Sequence, residues 1–224
     1  MSPSEPMTRT FTAFSYGSLI EEPSCPERVR SVRLAWVHGW SRGFHLTSTY
    51  RGCPAPRARY PHIVEPVLAE PDFRRSLVLG ARPEPSAVIA GALVTWDDPD
   101  GEVARAVDRR EGVDPAHPEA GPYRRRTCEV EVDGERREAL IYATNPDHPR
   151  YIELGISQQA RALLHATPAE VDRDRGALYL LPLVGFLRRH EIRDPYLESL
   201  VEQMRALVGE LPQPVRRSGP YNGT

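Results

Sequence analysis

Two short stretches of this chain hold residue types that could do chemistry. Tyr16, Gly17, Ser18 and Leu19 form a YGSL turn directly after the apolar run from Phe11 to Tyr16. Glycine permits a close backbone approach, and successive exposed N–H groups in such a turn can make a nest for an anion such as a carboxylate. On these four residues alone an ordinary strand-ending turn is the simpler account. The second stretch is VDRREGV, where Glu111 is followed, after a Pro- and Gly-rich link, by Tyr123, Arg124 and Arg125. A carboxylate at a helix end, held in a concave and partly desolvated site, has its pKa raised and can accept a proton near neutrality. On an open surface beside Arg109 and Arg110 the same group is a solvated charge. Only the two stretches together point to a site.

Other chemistries have less behind them. Cys53, in RGCP, is a conceivable thiol nucleophile, but no histidine is paired with it by spacing, and an incidental thiol is the simpler reading. His62, His117 and His148 stand in Pro-rich loops without HExxH or other ligand spacing, so surface residues are expected and no metal site. The arginines at 124–126 and at 136 and 137 lie among Glu129, Glu131, Asp133 and Glu135, as on a solvated strand face rather than a nucleic-acid surface.

The elements that must position these residues follow from periodicity. Phe11 to Tyr16 reads as a buried strand ending at Gly17 and Ser18. Val32–Trp40 and Phe44–Tyr50 read as two strands that could pair as neighbours. Prolines at 54, 56, 61, 66 and 71 make Arg51 to Arg82 a long surface excursion, interrupted by a short apolar segment at Leu77–Leu79. Ser86–Trp96 is apolar enough for a central strand. Val103, Ala106, Val107 and Arg110 recur at helical spacing, so a short helix over Gly101–Arg110 presents Glu111 near its C-terminal end. Thr127–Val132 and Ala139–Ala143, joined by VDGE, form a hairpin.

The last third reads helical. Helices are expected over Ser157–Ala166, from a capping box at Thr167, Pro168 and Glu170, over Ala177–Arg189, and along Leu197–Leu211. The last two should pack together. Strands first and helices last predict an α+β domain with a largely non-parallel sheet over residues 11–211, a flexible stretch at 1–10 and an irregular tail at 212–224.

Composition excludes some classes of function. With 40% hydrophobic and 27% charged residues the 224-residue chain can bury a core as one domain. A net charge of -2 gives no whole-molecule attraction to nucleic acid or to an anionic membrane, so any anion is recognised locally. Three cysteines without CxxC spacing fit neither a disulfide framework nor a zinc knuckle and agree with a reducing cytoplasm. Neither a signal peptide nor a membrane-length apolar run is read in the sequence.

An ordered set of motifs resembles the ChaC-like branch of the γ-glutamylcyclotransferase superfamily. It comprises FSYGSL at 14–19, STYRG at 48–52, GALVTW at 91–96, VDRREG at 107–112, YRRRTCEVEV at 123–132 and ALIYATN at 139–145, with similar closing helices at 178–200. The resemblance implies a mixed barrel-like sheet with surrounding helices and a cavity opened by the YGSL loop. It implies that Tyr16, Gly17, Ser18 and Leu19 bind the γ-glutamyl α-carboxylate, that Glu111 is the general acid and base, and that Tyr123 lies near the pocket. Arg51, in the RG segment, is implied to help close the site.

The implied chemistry is an intramolecular attack of the α-amine on the γ-carbonyl, giving 5-oxoproline and a free amine. Such ring closure gains about 7 to 11 kcal/mol over a bimolecular reaction when well oriented, and needs no metal, nucleotide or covalent intermediate. Ser18 or Tyr123 would stabilise the oxyanion. The stretch from Cys53 to Pro85 is longer and richer in proline than the resemblance leads one to expect. Glutathione, another γ-glutamyl amine or peptide, and a γ-glutamyl-protected biosynthetic intermediate therefore all stay open as substrates. A small-molecule binding protein on the same fold is the non-enzymatic alternative.

Overall fold

The apolar runs become strands that curl into a closed sheet. A computed structural model describes residues 9–20, 22–52, 75–167 and 176–212. Its elements are β1 (Thr10–Ser15), a single 3-10 turn (Pro26–Arg28), β2 (Val29–Gly52), β3 (Arg75–Asp97), α1 (Glu102–Glu111), β4 (Tyr123–Val132), β5 (Glu135–Thr144), α2 (Ile156–His165), α3 (Ala177–Arg189) and α4 (Pro195–Val208). The strand order is β1-β3-β2-β4-β5, and β1 returns to β5 to close a barrel. The β1–β3, β3–β2, β2–β4 and β4–β5 pairs are antiparallel. The closing pair runs parallel, with Ala13 opposite Leu140 and Phe14 opposite Ile141. The molecule is thus an α+β fold with a mixed barrel-like sheet, as its motif order implies.

Period-2 alternation fills the barrel. Phe14, Val37, Phe44, Leu79, Ala92, Val94 and Ile141 are fully or almost fully buried, and Trp96 adds an indole N–H donated to the Ser24 carbonyl at 2.7 Å. The helices extend the same core, with α4 lying against α2.

Three expectations need correction. Val32–Trp40 and Phe44–Tyr50 do not pair with each other: they are one continuous strand, β2, whose neighbours are β3 and β4. Gly39, near the end of the first of them, makes a bulge rather than a reversal: it takes φ 78° where the ladder shifts register between His38 and Trp40. The surface excursion ends earlier than expected: from Arg75 the chain is strand, and Leu77, Leu79 and Ala81 point inward along it. Pro83 and Pro85 are accommodated beside that bulge, where a missing backbone donor is tolerated. Finally, among the helices α4 lies most closely against α2, where the sequence pairs it with α3.

Residues 53–74, with Cys53 and His62, lie outside the described residues, as do 1–8, 213–224 and the Pro168–Glu170 part of the expected capping box. The Thr167 hydroxyl is described: it donates to the Leu163 carbonyl at 2.7 Å and accepts the Ala177 N–H at 2.9 Å, joining α2 to the start of α3. Among the described residues no helix is long and apolar enough to cross a membrane.

Candidate active site

Strand β1 ends where the cavity begins. Gly91 of β3 lets it do so, since a Cβ at that position would stand 2.2 Å from the Ser15 carbonyl oxygen. The chain then turns, with Ile20 N–H donating to Gly17 O at 3.0 Å and Glu22 N–H to Ser18 O at 2.9 Å. The N–H groups of Gly17, Ser18 and Leu19 find no acceptor among the described residues. Below them the Tyr16 hydroxyl donates to the Tyr142 carbonyl at 2.5 Å, which pins the turn to β5.

Glu111 arrives from a different element. Both oxygens of Asp98 accept N–H groups at the start of α1, from Val103 at 3.0 Å and Ala104 at 3.1 Å. The helix stops directly after Glu111 because Gly112 takes the left-handed conformation, φ 70°. One turn earlier, Asp108 is buried and accepts both Nε and Nη2 of Arg125 at 2.6 Å, together with the Tyr142 hydroxyl at 2.9 Å. A bidentate charged pair of this kind fixes the azimuth of α1 on the sheet. It leaves the Glu111 side chain 16% exposed.

The turn and the helix end share one cavity of about 270 Å³. Tyr16, Gly17, Ser18 and Leu19 line it together with Glu111, Tyr123, Arg109, Arg110, Tyr142, Arg150 and Tyr179. Glu111 is the sole carboxylate among the described residues that do so. Arg110 spans the two sides: it donates to Ser18 Oγ at 3.1 Å and to the Glu22 carbonyl, and its Nε stands 3.9 Å from Glu111 Oε1. Burial pushes the Tyr16 and Tyr123 hydroxyls well above the usual tyrosine range, and the charge on Glu111 pushes both further. Both phenols therefore stay protonated. The Tyr123 hydroxyl donates a hydrogen bond to the Leu79 carbonyl at 2.6 Å.

Six of the seven residues singled out in the sequence thus meet at one cavity. The seventh, Arg51, is the penultimate residue of β2, and its side chain lies outside the described residues. Sequence reasoning missed Tyr179, Tyr142, Arg110 and Arg150. Tyr179 carried a faint signal, a lone hydroxyl in the apolar run LYLLPLV of α3; its Oη would stand 2.9 Å from a Cβ placed on Gly17. Arg150, in a proline-flanked loop, carried none.

No protein-family model matches the chain, and no curated protein matches it. Solved structures do. It is similar to a selenomethionine-labelled γ-glutamyl cyclotransferase specific to glutathione from yeast, with a TM-score of 0.63 and 18% identity over 88% of this chain and 96% of that one. A second crystal structure of the glutathione-specific yeast enzyme gives a TM-score of 0.58 at 18% identity, over 88% of this chain and 99% of that one. The chain has the γ-glutamyl cyclotransferase fold. Nearly the whole of each yeast chain is covered, so the likeness takes in barrel and helices alike. At this identity it concerns the path of the backbone; what the cavity of this cyclotransferase fold does depends on its own side chains.

Proposed function

We propose that this protein is a γ-glutamyl cyclotransferase of the ChaC-like branch, converting a γ-glutamyl compound to 5-oxoproline and a free amine. The observation that carries the reading is the shared cavity, with Glu111 on one wall and the 16–19 backbone on another. The substrate α-carboxylate binds the N–H groups of Gly17, Ser18 and Leu19. Glu111 takes a proton from the α-ammonium, and the freed amine attacks the γ-carbonyl carbon to form the ring C–N bond. As the tetrahedral oxyanion collapses, Glu111 returns the proton to the departing nitrogen, the original amide C–N bond breaks, and the ring nitrogen loses its second proton to the released amine, leaving a neutral lactam.

Ser18 suits the oxyanion better than Tyr123 does. Its oxygen accepts from Arg110, which leaves its own proton to donate, whereas the single Tyr123 proton is directed at Leu79. Three guanidinium groups, of Arg109, Arg110 and Arg150, face one carboxylate in the cavity and favour an anionic substrate. Glutathione, which would release Cys-Gly, meets that requirement with two carboxylates, and a glutathione-specific enzyme shares the fold. A cytoplasmic setting, where that thiol stays reduced, belongs to the same reading.

The test is 5-oxoproline release from glutathione and a panel of γ-glutamyl amines and peptides, beside Glu111→Gln. Loss of the acid–base group should lower kcat by about 10²- to 10⁴-fold. Undiminished turnover in the variant would remove Glu111 from the mechanism. A wild-type protein that binds one of these compounds and turns over none would be a binding protein on this fold.

A further inference from the structure

Arg42 is buried beneath the loop and has no part in the chemistry above. It projects from β2 with its side chain only 2% exposed, and it does not line the cavity. Desolvating a guanidinium is costly unless hydrogen bonds and a counter-charge compensate, so each of its contacts is informative. Nη1 donates to the Tyr16 carbonyl at 3.2 Å, and Nη2 donates to the Ala90 carbonyl. Nε stands 3.1 Å from Asp194 Oδ2, a pairing of charges without the alignment of a hydrogen bond. Asp194 is itself held in place as the N-cap of α4, where its other oxygen accepts the Leu197 N–H at 3.0 Å. One side chain thus ties β3 and the helical layer to the peptide that opens the YGSL turn.

We propose that Arg42 is the positioning residue of the carboxylate nest, holding the Tyr16–Gly17 peptide so that its N–H is turned away from the barrel interior and toward the substrate. The inference rests on the cyclotransferase reading and extends it. In a planar trans peptide the C=O and the following N–H point in opposite directions. A cation that captures the Tyr16 oxygen from the buried side therefore turns the Gly17 N–H to the other side, and Tyr16 and Gly17 line the cavity together with Ser18 and Leu19. The same contact polarises the peptide and makes its N–H a stronger donor to an anion. Burial draws the Arg42 pKa down while Asp194 opposes the shift, and a guanidinium remains charged regardless. Lysine could not replace it, because an ammonium lacks the planar fork that reaches two carbonyls and a carboxylate at once.

The test compares Arg42→Lys with wild type on two substrates: a γ-glutamyl amide, and the same compound without its α-carboxylate. The second is a 4-aminobutanoyl amide, which would cyclise to 2-pyrrolidinone. Arg42→Lys should raise KM for the first by on the order of 10-fold or more, the loss of one hydrogen bond to a charged group, with kcat changed far less. KM for the second should stay the same. Leu200→Ala, a core truncation in α4, should lower Tm and leave both KM values alone, separating positioning from general stability. Equal changes on the two substrates, or a wild-type KM in Arg42→Lys, would overturn the inference and leave the function standing.

If the lysine variant does not fold, Asp194→Asn reads the same KM ratio, since it keeps an N-cap acceptor and removes only the counter-charge. An unchanged ratio there counts against the proposal. Should wild type turn over no γ-glutamyl compound, the function reading fails. Calorimetric binding of 5-oxoproline against 2-pyrrolidinone then decides the inference: a wild-type preference for the carboxylate that Arg42→Lys loses supports it, and no preference overturns it.

Discussion

Gly17 sits where the turn, the cavity and α3 come closest. Its φ is not in the left-handed region, so an added methyl group is a matter of space rather than of backbone strain. That space is occupied: the new Cβ would stand 2.9 Å from the Tyr179 hydroxyl and 3.8 Å from Leu79 Cδ2. Gly17→Ala should therefore push Tyr179 or the loop aside. We expect KM for a γ-glutamyl substrate to rise roughly 5- to 50-fold, between the cost of a lost neutral and a lost charged hydrogen bond. Stability should change by about 1 kcal/mol or less, because the obstructing atom is at the tip of a side chain. Adding Tyr179→Phe removes that atom and should return much of the lost affinity. Steady-state kinetics of the two single variants and the double variant check this, and additive effects would show that the clash is not what matters.

Helix α1 illustrates how an element, rather than a residue, delivers a catalytic group. Its start is set by Asp98, its stop by Gly112, and its rotation by the Asp108–Arg125 pair together with Tyr142. Tyr142 also receives the Tyr16 hydroxyl at its carbonyl, so both walls of the cavity hang on the same residue of β5. Asp108→Asn weakens the anchor one turn before Glu111. It should cost on the order of 2 kcal/mol, the range of a hydrogen bond to a charged group. It should also lower kcat by roughly 10- to 100-fold through displacement of the carboxylate. Urea denaturation and kinetics on the same preparation test both parts, and an undiminished kcat in a destabilised variant would mean that α1 holds its position without Asp108. The helix and its glutamate were legible in sequence because Val103 and Val107 mark its buried stripe. The anchor was not, since Asp108 and Arg125 are 17 residues apart and belong to different elements.

At the scale of the whole molecule, barrel and helices share one contiguous core. Strand β1 is held by β3 on one edge and by β5 on the other, and β2 by β3 and β4, so no strand leaves without opening the barrel. Unfolding should be a single transition. Fluorescence of Trp36, Trp40 and Trp96, all on β2 and β3, and far-UV circular dichroism, dominated by the helices, should give coincident midpoints in denaturant. Separate midpoints would mean that the C-terminal helices form an independent unit. The chain alone determined its α+β class, the place of α1 and of the hairpin turn, and the positions of YGSL, Glu111 and Tyr123. These depend on local periodicity, turn chemistry and motif order, which are properties of neighbouring residues. Tertiary structure alone decided that β2 runs unbroken past Gly39, that β3 continues through Pro83 and Pro85, and that Arg42, Arg110, Arg150 and Tyr179 gather around the YGSL turn and Glu111. Each of those outcomes is a pairing between distant segments: a bulge is tolerated only if a partner strand absorbs it, and a guanidinium is buried only where carbonyls and a carboxylate from other elements converge on it.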